Sequence, residues 1–394
     1  MGGVNTRFGL LSEEYLFREI ETRRVAYETA HPAEHIISLG IGDVTLPLGR
    51  CVTGAMALAA KEMGTLRGFH GYPPAFGYPF LREAVAGVYA ERGVSLSPEE
   101  IYISDGAKTD AALLPQLFSE VPVLVTDPGY PVYRDMGLLG GHRVRFLPAT
   151  RENGYLPTPH DLEDTPQVIC LCSPGNPTGA AYDRVGMEEW VAYARKSGSL
   201  LVWDAAYAAY LSDDAPHSIF EVPDARLCAV ELGSFSKSAG FTGVRCAWSV
   251  FTEEVSFDGQ PLASLWRRLK STSSNGVSYL TQRGAEAALS EKGREECEKK
   301  IAYYRENAAR LSDCLFHLGW QGIGGGTSPY LWLECPAGLS SWDTFDLLLT
   351  RAGLVTTPGV GFGRTGEGHL RFSSFARREE IMEAVRRLRR VFGK

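Results

Sequence analysis

The sequence predicts an α/β fold, with a large domain built on a mostly parallel central sheet flanked by helices and a smaller α/β domain after it. Three observations carry this. Short apolar runs of strand length alternate with helix-like stretches along most of the chain. Several of those runs end on a polar residue, as expected of open parallel sheets, whose ligands sit at the carboxyl ends of the strands. The 394 residues, 44% hydrophobic and 22% charged, are enough for one large core or two adjoining ones.

Taken in order, residues 5–30 read as an N-terminal arm and helix, and I-I-S-L-G (36–40) as a strand. Helical periodicity over 77–92 and 108–118 brackets the strand I-Y-I-S (101–104). Further strands are P-V-L-V-T-D (122–127), V-R-F-L (144–147), Q-V-I-C-L-C (167–172), S-L-L-V-W-D (199–204) and R-L-C-A-V-E-L (226–232). A long helical stretch over 278–318 leads to mixed strands at 330–334 and 369–372 and a closing helix at 378–392. The expected division is an arm and helix at 1–45 that joins the small domain, a large ligand-binding domain at 46–277 and a small domain at 278–394. No internal repeat or low-complexity segment is visible.

Composition narrows the function. A net charge of −7 and the single basic run at 386–390, on the outer face of the last predicted helix, argue against nucleic acid as a partner. No apolar run approaches the ~18 residues of a membrane span, and no leader pattern is present. The eight cysteines lack C-x-x-C spacing and read as buried, reduced thiols of a cytoplasmic protein.

The polar strand ends carry the chemistry. S-P-G-N-P-T-G (173–179) is a turn stiffened by proline and glycine that holds Asn176 in one direction. Asp204 and Tyr207 leave one strand end together, in W-D-A-A-Y. G-S-F-S-K-S-A-G-F-T-G-V-R (233–245) sets Lys237 among small residues, with Ser234 and Ser236 before it and Arg245 eight positions on. In S-D-G-A-K-T-D (104–110), Ala107 and Lys108 open a helix, an arrangement suited to gripping an anion with backbone N–H groups. Pyridoxal 5′-phosphate needs this combination. Its phosphate wants N–H groups, hydroxyls and a guanidinium, its ring nitrogen a carboxylate, its phenolate oxygen hydrogen-bond donors, and its aldehyde an amine. Lys237 would supply the amine, Ser234 and Arg245 the phosphate contacts, Asp204 the carboxylate, and Asn176 with Tyr207 the donors. A neighbouring cation would help keep the lysine pKa low.

These motifs, in this order and spacing, resemble those of fold-type I aminotransferases over nearly the whole chain. The resemblance implies a role for Arg371, in L-R-F-S-S, on the substrate α-carboxylate, for Tyr130, in D-P-G-Y-P-V-Y, stacked on the cofactor ring, and for Tyr72 at the phosphate of a neighbouring subunit. It therefore implies a homodimer with shared active sites, acting on amino acids and 2-oxo acids by ping-pong transamination. S-E-E-Y-L-F, L-G-I-G-D-V-T-L-P-L, S-D-G-A-K and T-P-G-V-G-F-G-R resemble the L,L-diaminopimelate aminotransferases in particular. Those enzymes make a lysine and cell-wall precursor from tetrahydrodipicolinate with glutamate as donor. That likeness assigns substrate contacts to Tyr15, Gly42, Lys108 and, from the partner subunit, the residue at the position of Asn275. One departure stands out. G-Y-P-P-A (71–75) leaves Ala75 where the family carries a carboxylate for the substrate's distal ammonium, so either another residue, such as Glu83 or Tyr78, replaces it or the side-chain substrate differs.

Weaker patterns point elsewhere. H-P-A-E-H (31–35) fits a zinc motif but contains a proline and runs into a strand. S-F-S-K fits an acyl-enzyme motif without its partner motifs, and no strand–turn–helix unit frames the glycines of G-V-G-F-G-R-T-G (359–366).

Overall fold

A computed structural model describes residues 3–11 and 16–393 of the chain. A short 3-10 turn at Thr6–Leu10 precedes helix α1 (Leu16–Ala30), strand β1 (Ile37–Ser38) and helices α2 (Arg50–Met63) and α3 (Pro79–Ala90). The chain then alternates: β2 (Ile101–Ser104), α4 (Ala107–Leu113), β3 (Val123–Asp127), α5 (Pro131–Gly140), β4 (Val144–Pro148), β5 (Val168–Cys172), α6 (Arg184–Ser197) and β6 (Leu200–Asp204). After β7 (Ala229–Ser234), the single-turn helix α7 (Phe235–Ser238) and β8 (Ala247–Val250), a small hairpin of β9 (Ser256–Phe257) and β10 (Gln260–Pro261) leads to helices α8 (Leu262–Ser273), α9 (Tyr279–Leu289) and α10 (Glu291–His317). The rest comprises β11 (Gly322–Gly324), β12 (Tyr330–Glu334), α11 (Ser341–Ala352), β13 (Leu354–Val355), β14 (Thr357–Pro358), β15 (His369–Ser373) and α12 (Arg378–Phe392).

Seven strands form the large sheet in the order β2-β8-β7-β6-β5-β3-β4, parallel except for β8, which runs antiparallel to both neighbours. β5, β6 and β7 are buried along almost their whole lengths, which is why their sequences read as continuous apolar runs rather than alternating ones. Separate apolar cores cover the two faces, one around Trp190, Trp203 and Phe235, the other around Val202, Phe251 and Trp266. A four-stranded sheet, β11-β12-β15-β14, has its own core around Leu331, Phe345 and Leu388, and Ile20, Ile37 and Leu39 from the N-terminal segment pack into it.

The structure corrects the sequence reading locally. The helical stretch over 278–318 is two helices, because Ser290 takes an extended conformation and its side chain accepts the Gly293 N–H as the cap of α10. Ala285 and Ala288 of α9 pack in the core of the large sheet. α4 stops at Leu113, since Pro115 follows and the chain tightens into a 3-10 turn. Helices α2, α5, α6, α8 and α11 have no counterpart in the sequence reading. β8 was likewise unread, and it matters most: because it runs antiparallel to β7, it starts at the edge where β7 ends, with Ala247 paired to Ser234.

Candidate active site

The carboxyl ends of β2, β3, β5, β6 and β7 and the start of β8 meet at one edge of the large sheet. A cavity of about 420 Å3 opens there, between that edge and the four-stranded sheet. The alternation of strand and loop puts a polar residue just past each strand end, and the antiparallel return of β8 explains how Arg245 reaches the same edge as Lys237.

Lys237 sits on α7, directly after β7, with its Nζ donating to the Gly42 carbonyl. Burial lowers its pKa to about 8; the Arg371 and Arg245 charges push the same way and Asp43 opposes them. The site thus tunes the amine toward its neutral, nucleophilic form. Asp204, only 6% exposed at the end of β6, accepts from Tyr133 Oη at 2.7 Å and from the Ala206 N–H at 3.1 Å. Burial raises its carboxyl pKa, and those hydrogen bonds oppose the rise. A cationic ring N–H placed against this carboxylate would restore its charge.

Arg371 lies on β15 in the middle of the small sheet and is 1% exposed. Its Nη1 donates to Asn176 Oδ1 at 2.7 Å and its Nη2 to the Gly40 carbonyl at 2.6 Å, while its Nε makes no hydrogen bond among the described residues. A buried guanidinium in the cavity lining, with Nη hydrogens beyond those two bonds, suits a carboxylate ligand. Because Arg371 claims the Asn176 carbonyl oxygen, the amide nitrogen is left as the group that faces a ligand. Tyr207 Oη lies 2.7 Å from Tyr330 Oη, so one hydroxyl can donate to the other while the other donates onward.

At the opposite end, Gly106 precedes α4 with φ +150°, and any Cβ there would lie 2.1 Å from Arg245 Nη2. Only glycine lets the guanidinium lie against the start of α4. Arg245 itself takes a left-handed φ of +61°, which is strained for a long side chain. Ala107, Lys108, Ser234 and Ser236 line the same end of the cavity, and the Lys108 Nζ stands 6.0 Å from the Tyr130 ring centroid. Together these groups could hold a phosphate. Gly42 faces Tyr330, whose Oη would lie 2.4 Å from a Cβ at that position.

One cavity therefore gathers Gly42, Ala107, Lys108, Tyr130, Asn176 and Asp204, and with them Tyr207, Ser234, Ser236, Lys237, Arg245 and Arg371. The donor set fits pyridoxal phosphate: a buried carboxylate, an amine of lowered pKa, a guanidinium beside a helix start, and an aromatic ring, Tyr130, in the same lining. Tyr72 and Asn275 do not line the cavity; Tyr72 is 87% exposed and Asn275 is exposed in the segment after α8. That segment touches the loop of the missing carboxylate, because a Cβ at Gly276 would meet the Pro74 carbonyl at 2.4 Å. Tyr15 lies outside the described residues. Neither Glu83, exposed on α3, nor Tyr78, packed against Phe80 and Tyr279, lines the cavity. His31 and His35 flank the turn after α1.

Sequence reasoning missed Asp43, Tyr133 and Tyr330, which also line the cavity. Tyr133 had a readable signal, three residues after Tyr130 at helical spacing in D-P-G-Y-P-V-Y. Tyr330 had none, since it opens an ordinary apolar strand.

Residues 34–388 match the family model described as aminotransferase class I and II. The chain is 42% identical to the LL-diaminopimelate aminotransferase of Agathobacter rectalis, over 98% of this chain and 99% of that one. It is also 42% identical to the enzyme of the same name from Parabacteroides distasonis, over 99% of each. Among solved structures, the L,L-diaminopimelate aminotransferase from Chlamydomonas reinhardtii superposes with a TM-score of 0.94 at 41% identity, covering 100% of this chain and 99% of that one. Substrate-bound BacF from Bacillus subtilis superposes at 0.86 with 30% identity, covering 100% of both chains. With the match running from the N-terminal segment to the last helix and the cavity furnished for pyridoxal phosphate, this chain belongs to the class I and II aminotransferases, a pyridoxal phosphate-dependent family.

Proposed function

We propose that the chain is an L,L-diaminopimelate:2-oxoglutarate aminotransferase, working as a cytoplasmic homodimer. The observation that carries the reaction class is the convergence of Lys237, Asp204 and Arg371 on one cavity. The substrate is supported by 41–42% identity, over almost the full length, to enzymes of that name. The dimer is supported by the exposed apolar side chains of Leu66, Phe69 and Tyr72, which a second copy would cover. The eight unbridged cysteines suit a reducing compartment.

Each residue then has a role. Arg371 orients the substrate α-carboxylate by paired hydrogen bonds, held rigid by Asn176 and Gly40. Bound pyridoxal phosphate supplies the electron sink for the pair left on the substrate Cα. Lys237 Nζ, once free, would be the base that lifts the proton from the substrate Cα and the acid that gives it up again within the site. Asp204, held by Tyr133, would keep the cofactor's ring nitrogen protonated. The Asn176 amide and the Tyr207 hydroxyl, the latter backed by Tyr330, would donate to the phenolate oxygen. Ala107, Lys108, Ser234, Ser236 and Arg245 would hold the phosphate, joined by Tyr72 of the partner subunit.

The amine must be neutral to react with the cofactor aldehyde, so the rate at which apoenzyme takes up pyridoxal phosphate should rise with pH through about 8 and then level. Asp43→Asn removes the charge that raises the Lys237 pKa and should move that midpoint to lower pH. Stopped-flow absorbance reads both, and a midpoint unmoved in the variant would contradict the assignment.

The substrate is tested on the cofactor-loaded enzyme by adding L,L-diaminopimelate alone, beside glutamate, aspartate and aromatic amino acids, and following the cofactor absorption. Conversion by L,L-diaminopimelate at low concentration is the expected result. Conversion only by another amino acid would favour the second reading, an α-amino-acid aminotransferase with a different side-chain pocket, which rests on Ala75. Restoring a carboxylate with Ala75→Glu should lower the KM for L,L-diaminopimelate about tenfold, worth about 1.4 kcal/mol.

A further inference from the structure

One ion pair among the described residues is wholly buried. Lys270 Nζ lies 3.0 Å from Asp110 Oδ1, and the two side chains are 2% and 0% exposed. Neither residue contributes a charge to the reaction.

The pair's place in the fold is specific. Asp110 is the fourth residue of α4, three positions after Ala107, which with Lys108 lines the phosphate end of the cavity. Lys270 lies on the inner face of α8, one turn after Trp266, whose indole N–H donates to Ser249 Oγ on β8 at 3.1 Å. β8 is the strand that follows Arg245. The pair therefore clamps the helix that begins at Ala107 to the helix packed on the strand that delivers Arg245. Gly106 caps α4 without a side-chain hydrogen bond, and Asp110, the acidic residue of the first turn, ties this short helix to α8.

Stability alone gives no reason for the charges. A buried ion pair recovers little more than the cost of desolvating it, and an apolar pair of similar volume generally serves the fold as well or better. What the ion pair adds is direction: a fixed distance and orientation between α4 and α8. We propose that Asp110 and Lys270 are a positioning pair, setting α4 so that the backbone at Ala107 and Lys108 and the Arg245 guanidinium converge on a single anion, the phosphate of the cofactor.

The test compares apoenzymes of the wild type, Asp110→Asn and the double variant Asp110→Leu with Lys270→Leu. Equilibrium dissociation constants are measured by absorbance for pyridoxal 5′-phosphate and for pyridoxal, which lacks the phosphate. Thermal melting is measured alongside. The expected result is a loss of about tenfold or more in pyridoxal phosphate affinity in both variants, with pyridoxal affinity changed less than about twofold and the double variant melting near the wild type. If Asp110→Asn does not fold, the double variant decides. Wild-type affinity for pyridoxal phosphate in the double variant would overturn the proposal by reducing the pair to a packing element. Equal losses for both ligands, or failure of both variants to fold, would overturn it as well.

Discussion

Replacing Lys237 with alanine should abolish transamination, a loss of about 10⁴-fold or more in kcat, while the protein folds and melts as before. No other amine can stand in. The other lysine lining the cavity, Lys108, lies at the phosphate end beside Tyr130, and both remaining cations are guanidinium groups, which do not give up protons near neutral pH. The fold should tolerate the change for a physical reason. Lys237 is an amine whose charge burial disfavours, with Arg371 and Arg245 adding to the effect, so its removal relieves a cost. The space vacated opens into an existing cavity rather than a sealed core, so the penalty of a new void is small. Circular dichroism and melting report the fold, and steady-state turnover with a saturating amino donor reports the chemistry. Turnover near the wild-type level in a folded variant would remove Lys237 from the mechanism and with it the reading of α7 as the catalytic turn.

Most of the site was legible because the chemistry imposes residue types at strand ends, and strand ends are where apolar runs stop. Asp204 follows L-L-V-W and Asn176 lies in a loop with two prolines; each is conspicuous against its neighbours. The large sheet was legible for the same reason, since strands buried on both faces read as unbroken apolar stretches. What escaped notice had weaker local signals. β8, with the sequence A-W-S-V, has a polar residue and a bulky indole in four positions, and one of its two antiparallel partners, β2, lies far away in the chain. Tyr330 and Arg371 come together only through the pairing of β12 with β15, where Trp332 and not Tyr330 sits opposite Arg371. No sequence window contains that proximity. Tyr72 and Asn275 show the limit from the other side. Motif likeness singled them out, but a role for them needs a second subunit, and within one chain they are exposed residues.

Arg371→Gln should cost about 10³-fold in kcat/KM, roughly 4 kcal/mol, for every amino acid substrate alike. The guanidinium is buried among the Asn176 amide, the Gly40 carbonyl and the Tyr330 ring, whose centroid lies 4.3 Å from its Cζ. Glutamine removes the charge that a buried substrate carboxylate needs and takes the guanidinium donor from Asn176 Oδ1, while the Gly40 carbonyl keeps the Thr357 hydroxyl as a donor at 2.6 Å. Arg371→Lys tests the geometry separately. It keeps the charge but cannot present two parallel N–H groups, nor reach Asn176 Oδ1 and Gly40 at once, so it should recover only a small part of the loss. A substrate lacking the carboxylate separates orientation from general damage. The wild type should discriminate strongly between an amino acid and its α-amide, and the glutamine variant should react with the two at similar rates. If the variant instead kept its preference for the free acid, the carboxylate would have to be bound elsewhere, with Lys108 and Arg245 the remaining cations of the cavity able to bind it.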